Sequence, residues 1–197
     1  HNDGSTTVYS RPVYVALANG TYYFNNKSNN YRIEYKSLTD FGENSLLRAA
    51  SRGSAEPTSR TQMFKVKYLG YGTYSIRSML DSSMGWSYSG NYLSSVTIGT
   101  SDSGVSSDEK WMLGTNANGY YIYNNYAGTS KTITAPTLSG DNIPLSTYQS
   151  TNTRQNWLIN KVTSSYHGVT IYGGVSSLVV GDSATFGAAV YSTYTDT

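Results

Sequence analysis

Short runs of alternating apolar and polar residues, separated by turn residues, fill most of the chain. One aromatic-rich run is NGTYYFNN (Asn19–Asn26), a close copy is NGYYIYNN (Asn118–Asn125), and a less exact copy is YGTYSIRS (Tyr71–Ser78). Alternation with a period of two is typical of β-strands, and Asn-Gly and Ser-Gly pairs mark turns between them. No stretch keeps a helical period over three turns. The pattern predicts an all-β protein.

The same pattern recurs three times along the chain. A Gly-x-Tyr turn stands at positions 20, 72 and 119. A second marker places Gln or Glu two residues before an aromatic ring: Gln62 with Phe64, Glu109 with Trp111, and Gln155 with Trp157. Both markers keep a period of about 47 residues, and units of this size cannot each bury an apolar face alone. We therefore predict three repeats around a shared core, with the marker rings buried and the marker Gln or Glu bonding backbone near the turn.

Composition narrows the function classes. The chain has 197 residues, no cysteine, 20 tyrosines and a net charge of +2. Without cysteine there is no disulfide, thiol nucleophile or thiolate metal site, and the small net charge predicts no nucleic-acid partner. No run approaches the ~18 apolar residues of a membrane span, so no membrane insertion is predicted. Tyrosine joins an apolar ring to a polar tip, which suits both a core and a wet recognition surface.

Residues that carry catalysis are scarce. The two histidines are His1 and His167, and a Ser-His-acid triad would need His167 to fold back onto the repeats. The sequence has no Gly-rich phosphate-binding motif and no calcium-loop pattern. We therefore predict a protein that is not an enzyme and that uses no cofactor and no metal.

Three repeats of this length, each with Gly-x-Tyr near its start and Gln-x-Trp or a variant near its end, resemble the ricin B-type lectin domain. The resemblance covers Ala18–Val162. It implies a β-trefoil fold, in which the recurring phrase is the first strand of each lobe. It also implies that a lobe can hold a shallow sugar site. Such a site has a carboxylate near the second strand, an aromatic platform later in the lobe, and an Asn or Gln near the marker.

The first two lobes match this site pattern incompletely. In the first lobe, Glu34 stands where the family usually has Asp, and Ala49 stands at the platform. In the second lobe, Ser87 is at the acid position, Gly99 is at the platform, and Asp108 is near the usual Asn. Neither lobe keeps all three groups of the family.

The third lobe has Thr134 at the acid position and Ser146 at the platform, and it continues into the polar stretch STYQSTNTRQ. We predict a shifted glycan site there, with Tyr148 as the stacking ring and hydrogen bonds from Asn125, Asn152 and Arg154. The further candidates for carbohydrate contact are Tyr126, Glu34, Trp86 and Asp108. Trp86 shares a strand face with Tyr88, and the alternative is that this face belongs to the core.

The C-terminal stretch has a different character. After Val162 the polar segment TSSYHG precedes two alternating runs around a Gly-Asp-Ser turn. This stretch resembles the opening of a bacterial Ig-like domain of group 2, a class of sandwich that needs roughly 100 residues. The predicted organisation is an N-terminal extension at 1–17, a ricin-type β-trefoil at 18–162, a linker at 163–168, and a truncated Ig-like domain at 169–197.

Together these features predict a carbohydrate-binding, lectin-like module of a multimodular extracellular bacterial protein, secreted or held at the cell surface. Its expected partners are a glycan or polysaccharide and the further domains of a longer parent chain. The alternative is a protein-contact or spacer trefoil that has lost sugar binding. The incomplete site patterns favour the alternative, whereas the third lobe, rich in Tyr and Asn, favours the carbohydrate-binding module.

Overall fold

The computed structural model describes residues 17–35, 45–53, 55–128, 131–163, 167–172 and 187–192. The chain divides into two compact units, His1–Val162 and Thr163–Thr197, which we call unit 1 and unit 2. Apart from Leu17, the predicted N-terminal extension lies outside the described residues.

Unit 1 is built from antiparallel strands, and none of its described residues is α-helical. The strands are β1 (Gly20–Asn26), β2 (Tyr31–Tyr35), β3 (Ser45–Ser51), β4 (Phe64–Gly70), β5 (Thr73–Ser78), β6 (Met84–Ser89), β7 (Tyr92–Thr97), β8 (Trp111–Asn116), β9 (Gly119–Asn124), β10 (Lys131–Ile133), β11 (Leu145–Thr147) and β12 (Trp157–Lys161). Short 3-10 helices lie at Arg60–Gln62, Asp102–Gly104, Ser107–Glu109 and Thr153–Gln155. The prediction of an all-β protein is confirmed.

Six of these strands close into a ring. Strand β1 pairs with β4, β4 with β5, β5 with β8, β8 with β9, and β9 with β12, which pairs with β1. The other six strands form the hairpins β2–β3, β6–β7 and β10–β11. Each strand of the ring therefore has a neighbour on both sides, and closure of this kind protects a sheet from pairing with other chains.

One backbone contact links the predicted repeats in the same way at three places. The residue after the first strand of a repeat donates its N–H to the middle residue of another repeat's marker: Lys27 to Asn156 O, Met79 to Met63 O, and Asn125 to Lys110 O, at 2.9–3.1 Å. A second set of backbone hydrogen bonds joins the hairpins to one another: Leu93 N donates to Ile143 O, and Ile143 N donates to Leu47 O. The markers thus join the repeats at one end, and the hairpins join each other.

The marker rings Phe64, Trp111 and Trp157 lie in the core with essentially no exposure. Trp111 Nε1 donates to Trp86 O and Trp157 Nε1 donates to Ile133 O, both at 3.1 Å. A buried indole N–H needs such an acceptor, whereas Phe64 has no N–H to satisfy. The predicted core position of the marker rings is confirmed.

Two of the marker polar residues bond backbone as predicted. Gln155 accepts from Gln149 N at 2.8 Å and donates to Thr147 O at 2.9 Å. Glu109 accepts from Ser106 N at 2.8 Å. Each contact holds the loop before the marker against the marker itself, and so fixes where the closing strand of the repeat begins.

Unit 2 contributes two described strands, β13 (His167–Tyr172) and β14 (Gly187–Ser192). They pair antiparallel, with His167 opposite Ser192 and Tyr172 opposite Gly187. Strand β13 begins inside the stretch predicted as a linker. Outside these two strands, the predicted Ig-like segment lies beyond the described residues.

Candidate functional site

Glu34 belongs to a hydrogen-bonded network of charged and amide side chains in the first repeat. It is only 8% exposed, and it accepts from Arg48 Nε at 2.8 Å and from Gln62 Nε2 at 2.6 Å. Gln62 also accepts from Arg32 Nη1 at 3.1 Å. The protein itself engages both carboxylate oxygens, and a contact between Glu34 and carbohydrate stays a prediction. Gln62 bonds side chains rather than backbone because the buried charges beside it need partners.

Trp86 is a core residue. Its side chain is fully buried, and the ring centroids of Phe24, Phe64 and Trp111 lie 4.8, 5.0 and 5.9 Å from its own. A stacking platform needs a ring face that a sugar can reach, so the prediction that Trp86 contacts carbohydrate is corrected. Tyr88, on the same strand face, is only half-buried and packs at the edge of the core.

The short helix Ser107–Glu109 places the Asp108 carboxylate against β6. Its Oδ2 accepts from Ser87 Oγ at 2.9 Å and its Oδ1 from Ser106 Oγ at 2.6 Å. Partial burial raises the pKa of Asp108, but hydrogen bonds from Ser106, Ser87 and its own backbone N–H together lower this pKa below the ordinary 3.8. Asp108 is a half-exposed anion whose oxygens are already held by two hydroxyl groups.

The variant Ser106→Ala is expected to raise the pKa of Asp108, because it removes a hydroxyl donor that favours the carboxylate. A carboxyl whose pKa is lower in the folded state stabilises the fold when the pH lies above its pKa in the unfolded chain, near 3.8. This stabilisation is lost as the pH falls through the lower pKa of the folded state. A carbon-detected NMR titration measures the pKa directly. Ser103→Ala, in an exposed neighbouring turn, is the control, and an equal pKa in both variants would contradict the assignment.

In the third repeat, the positions that the resemblance assigns to the acid and the platform form a polar network. The hydroxyl groups of Thr134 and Ser146 lie 2.6 Å apart, and Gln155 Nε2 donates to them at 3.2 and 3.0 Å. Thr134 and Gln155 are buried. The network holds the β10–β11 hairpin against the marker and places no carboxylate at the family's acid position.

Tyr148 packs against a second tyrosine. Its ring centroid lies 4.7 Å from that of Tyr121 with a tilt of 36°, and Tyr121 stacks on Tyr123 at 6.0 Å. Gly114, paired with Tyr121 across β8 and β9, provides the space, since a Cβ there would lie 2.0 Å from the Tyr121 ring. Tyr148 is half-buried and braced by Tyr121. Its role as a stacking ring stays a prediction.

The other predicted members of the third-repeat site have separate surroundings. Asn152 caps the helix Thr153–Gln155, where its Oδ1 accepts from Arg154 N at 3.2 Å. Asn125 has an exposed side chain and donates its N–H to Lys110 O. Arg154 lines a cleft whose walls include none of Tyr148, Asn125 and Asn152. Of the four residues predicted for this site, Arg154 alone lines the cleft.

This cleft, which we call the Tyr92–Arg154 cleft, has a volume of about 410 Å³. Its lining residues are Tyr92, Pro136, Thr137, Asp141, Asn142, Pro144 and Arg154. Tyr92 begins β7, is 41% exposed, and forms a β-bridge with Pro144. The loop before β11 forms one wall of the cleft. It is held against β3, because Ala49 N donates to Asp141 O at 2.9 Å and Gly140 N donates to Ala49 O at 2.7 Å. All three repeats therefore help to build this cleft.

The cleft combines an exposed aromatic ring with hydrogen-bond donors and hydrogen-bond acceptors. Asp141 supplies acceptors and Arg154 supplies donors, while Asn142 Oδ1 is buried and has no hydrogen-bond partner. Among the described residues the ion pairs are Arg48–Glu34 and Lys67–Asp102, so Asp141 and Arg154 are not paired with each other. A flat ring beside free donors and acceptors suits a small ligand that carries several hydroxyl groups.

The sequence predicted Arg154 as a site residue but did not indicate that it shares a cleft with Tyr92, Asp141 and Asn142. The only local signal was the Ser-Gly-Asp-Asn turn, which marks a loop without saying what it contacts. The hydrogen bond between Ser51 and Ser139, which joins residues 88 positions apart, shows how far this loop reaches.

A second cleft, of about 340 Å³, is lined by Arg32, Gly53, Ala55, Glu56, Pro57, Thr58, Ser59 and Gln62. Its lining has no aromatic ring, and the guanidinium of its lining residue Arg32 donates to Asn25, Gln62 and Ala55. Within the described ranges, no group of three His, Asp or Glu side chains is placed to hold a metal ion. No helix in the same ranges is long and apolar enough to span a membrane.

No protein-family model and no curated protein matches this sequence. Solved structures do match it. A mosquitocidal holotoxin is 19% identical with a TM-score of 0.62, over 90% of this chain and 22% of that one. The Macrolepiota procera ricin B-like lectin in complex with lactose is 16% identical with a TM-score of 0.56, over 75% of this chain and 99% of that one.

A designed three-fold symmetric protein, ThreeFoil, is 15% identical with a TM-score of 0.58, over 73% of this chain and 99% of its own. The chain spans only about a fifth of the holotoxin's length. At these identities the likeness concerns the fold alone. The chain shares the all-β fold of ricin B-like lectins and related β-trefoil proteins.

Proposed function

We propose that unit 1 is a non-catalytic carbohydrate-binding module, a ricin B-type β-trefoil of three repeats, with its sugar site in the Tyr92–Arg154 cleft. The observation that carries the proposal is an exposed ring beside a carboxylate and a guanidinium that are not paired with each other. The likeness to a ricin B-like lectin in complex with lactose supports carbohydrate as the ligand class.

In this site the apolar C–H face of a pyranose lies on the ring of Tyr92. Asp141 accepts hydrogen bonds from sugar hydroxyl groups, and Arg154 donates to hydroxyl or ring oxygens. Asn142 Oδ1 is buried without a partner, a situation that costs about 1–3 kcal/mol. Because this oxygen is not exposed to solvent, the contacts to a sugar in the cleft come from Tyr92, Asp141 and Arg154.

The proposed site departs from the family pattern in three respects. Its carboxylate comes from Asp141 in the loop before β11, rather than from the family's acid position, which Thr134 holds just after β10. Its ring comes from Tyr92 of the neighbouring repeat, rather than from the platform position held by Ser146. Arg154 lies next to Gln155, where the family has its amide, and offers a guanidinium instead.

The setting of the module is part of the same proposal. The chain belongs to a multimodular bacterial protein that is secreted or held at the cell surface, and unit 2 is Ig-like. Its partners are a glycan or polysaccharide and the further domains of the parent. The absence of cysteine and the likeness to one part of a much longer toxin support this setting.

A second candidate function is protein contact, with no sugar bound. It is favoured by Tyr71, which is fully exposed at the β4–β5 turn and has a φ of 52°. This backbone conformation is unfavourable for a bulky residue, so an exposed ring there points to a contact away from the cleft. The engaged carboxylate of Glu34 is consistent with this alternative.

The variant Tyr92→Ala is expected to weaken glycan binding about tenfold, because an aromatic platform contributes roughly 1.4 kcal/mol to affinity. The full chain is first applied to a glycan array and to insoluble polysaccharides. The affinity of each retained glycan is then measured by calorimetry for the wild type and the variant.

Tyr71→Ala is the matched control, since it removes an exposed tyrosine that does not line the cleft. It should bind like the wild type. Loss of binding in Tyr148→Ala, with Tyr92→Ala unaffected, would move the sugar site to the rings of Tyr148 and Tyr121. No retention of any plant, mucin or bacterial-wall glycan would overturn the carbohydrate proposal and favour protein contact.

A further inference from the structure

We propose that unit 1 has a second carbohydrate-binding site, formed by Tyr126 and Tyr88 together with Asn91 and Lys131. It takes a pyranose and lies on the opposite face of the β6–β7 hairpin from the Tyr92–Arg154 cleft. The inference rests on the proposed function for its ligand class, but its residues are separate from those of the cleft.

Tyr126 offers an exposed ring on a rigid backbone. Its side chain is 71% exposed. Asn124 Oδ1 accepts from Tyr126 N at 3.0 Å and from Ala127 N at 3.2 Å, while Asn124 Nδ2 donates to Asp108 O at 2.6 Å and to Lys110 O at 3.2 Å. Asn124 is fully buried, so the turn that carries Tyr126 is fixed to the marker beside it. A turn whose backbone is held in this way loses little backbone freedom when the ring binds a ligand.

The same turn forms elsewhere in the molecule without a ring. In the first repeat Asn26 Oδ1 accepts from Ser28 N and Asn29 N. In the second repeat Ser78 Oγ accepts from Leu80 N and Asp81 N. The residue two positions after the capping side chain is therefore Ser28, Leu80 or Tyr126. Because the turn forms with serine or leucine at this place, the exposed ring of Tyr126 is not needed for folding.

The surroundings of Tyr126 supply a second ring and hydrogen-bond donors. The Tyr88 ring lies 6.3 Å from that of Tyr126 with a tilt of 38°. Asn91 Oδ1 accepts from Tyr88 Oη at 3.2 Å and from Lys131 Nζ at 3.5 Å. The turn Gly90–Asn91, with φ values of 54° and 70°, places the Asn91 amide at the end of the hairpin.

These groups match a pyranose better than a purely apolar partner. The C–H face of the sugar covers the Tyr126 ring, and its edge meets Tyr88. The Asn91 Nδ2 group and the remaining Lys131 ammonium protons then donate to hydroxyl or carboxylate oxygens of the sugar. Two rings beside an amide and an ammonium group form a mixed surface, in which the polar atoms set the orientation of the ligand.

The two proposed sites face in different directions. Tyr88 pairs with Leu93 across the hairpin, whereas Tyr92 pairs with Ser89. Neighbouring positions along a strand point to opposite faces of the sheet, so the rings of Tyr88 and Tyr92 leave opposite faces of the hairpin. One molecule with both sites occupied can join two glycan chains, and binding to a surface that carries many chains gains from this multivalency.

The test uses the amide NMR spectrum of the full 197-residue chain. Lactose, N-acetylglucosamine and galacturonic acid are added separately, up to about 50 mM, since single-sugar affinities are often in the millimolar range. We expect shifts of the amide signals of Asn91, Tyr126 and Ala127 for at least one probe. In Tyr126→Ser the affinity measured from these signals should fall about tenfold, while shifts around Arg154 persist.

Tyr126→Ser copies the residue of the first repeat and Tyr126→Leu copies that of the second, so both should melt within a few degrees of the wild type. Marked unfolding of both variants would make the ring structural and overturn the inference. Shifts confined to the Tyr92–Arg154 cleft overturn the second site and leave the proposed function intact. Shifts confined to Tyr126 overturn the cleft instead, and no shift with any probe overturns both sites.

Discussion

Replacement of Trp157 by alanine is expected to lower the free energy of unfolding of unit 1 by about 3–5 kcal/mol. Trp157 is fully buried, and its Nε1 donates to Ile133 O at 3.1 Å. The truncation leaves a cavity in the shared core and also leaves the Ile133 carbonyl without its donor, so the two effects add. Circular dichroism during urea and thermal unfolding measures the loss, which corresponds to a Tm lower by roughly 10 °C.

The first repeat supplies the matched control, because Phe64 occupies the same marker position and is equally buried. Trp157→Phe keeps a ring and removes only part of the volume and the indole N–H, so a loss of about 1–2 kcal/mol is expected. If the phenylalanine and alanine variants lost the same stability, the ring itself would contribute nothing, contrary to its place in the core.

Asn124→Ala is expected to lower the free energy of unfolding by about 3 kcal/mol, although asparagine has no large apolar group to lose. Its side chain accepts from Tyr126 N and Ala127 N and donates to the carbonyls of Asp108 and Lys110. Alanine removes this partner from Tyr126 N, Ala127 N and Asp108 O, whereas Lys110 O keeps its hydrogen bond from Asn125 N. Leaving buried polar groups unsatisfied is among the costliest changes that a mutation makes. Chemical denaturation measures the difference.

The second repeat shows what a smaller change does. There Ser78 holds the equivalent turn through one hydroxyl oxygen. Asn124→Ser keeps an acceptor for the turn and loses the two donors, so it should cost clearly less than the alanine variant. A stability of Asn124→Ala equal to that of the wild type would show that water replaces all four hydrogen bonds, and would contradict the structural role assigned to Asn124.

The repeating elements could be predicted because their signals are local. A glycine, an alternating strand and a polar-x-aromatic marker each lie within a few residues, and Phe64, Trp111 and Trp157 are buried as predicted. Sequence alone did not reveal that the marker residue Gln62 bonds Glu34 and Arg32 instead of backbone. That contact depends on two charged residues from another strand.

The candidate site was harder to predict because it is assembled from distant parts of the chain. Trp86 was chosen as an aromatic residue and Glu34 for its place in the family pattern, and neither criterion shows whether a side chain is buried or exposed. Tyr92 and Asp141 line one cleft because the loop before β11 bonds to β3 and also bridges to Tyr92 at Pro144. Such a contact leaves no periodic trace in the sequence.

The closed ring of strands also bears on where the chain can be cut. Strand β1 lies beside β12, with Tyr22 opposite Lys161, so the ring closes where its first and last strands meet. A circular permutant that joins these two strands through a short linker, with new termini in the β4–β5 turn at Tyr71, would retain every strand pairing of the ring. Such turns are the usual places for successful permutation. The fold of unit 1 therefore does not depend on the order in which its strands follow one another along the chain.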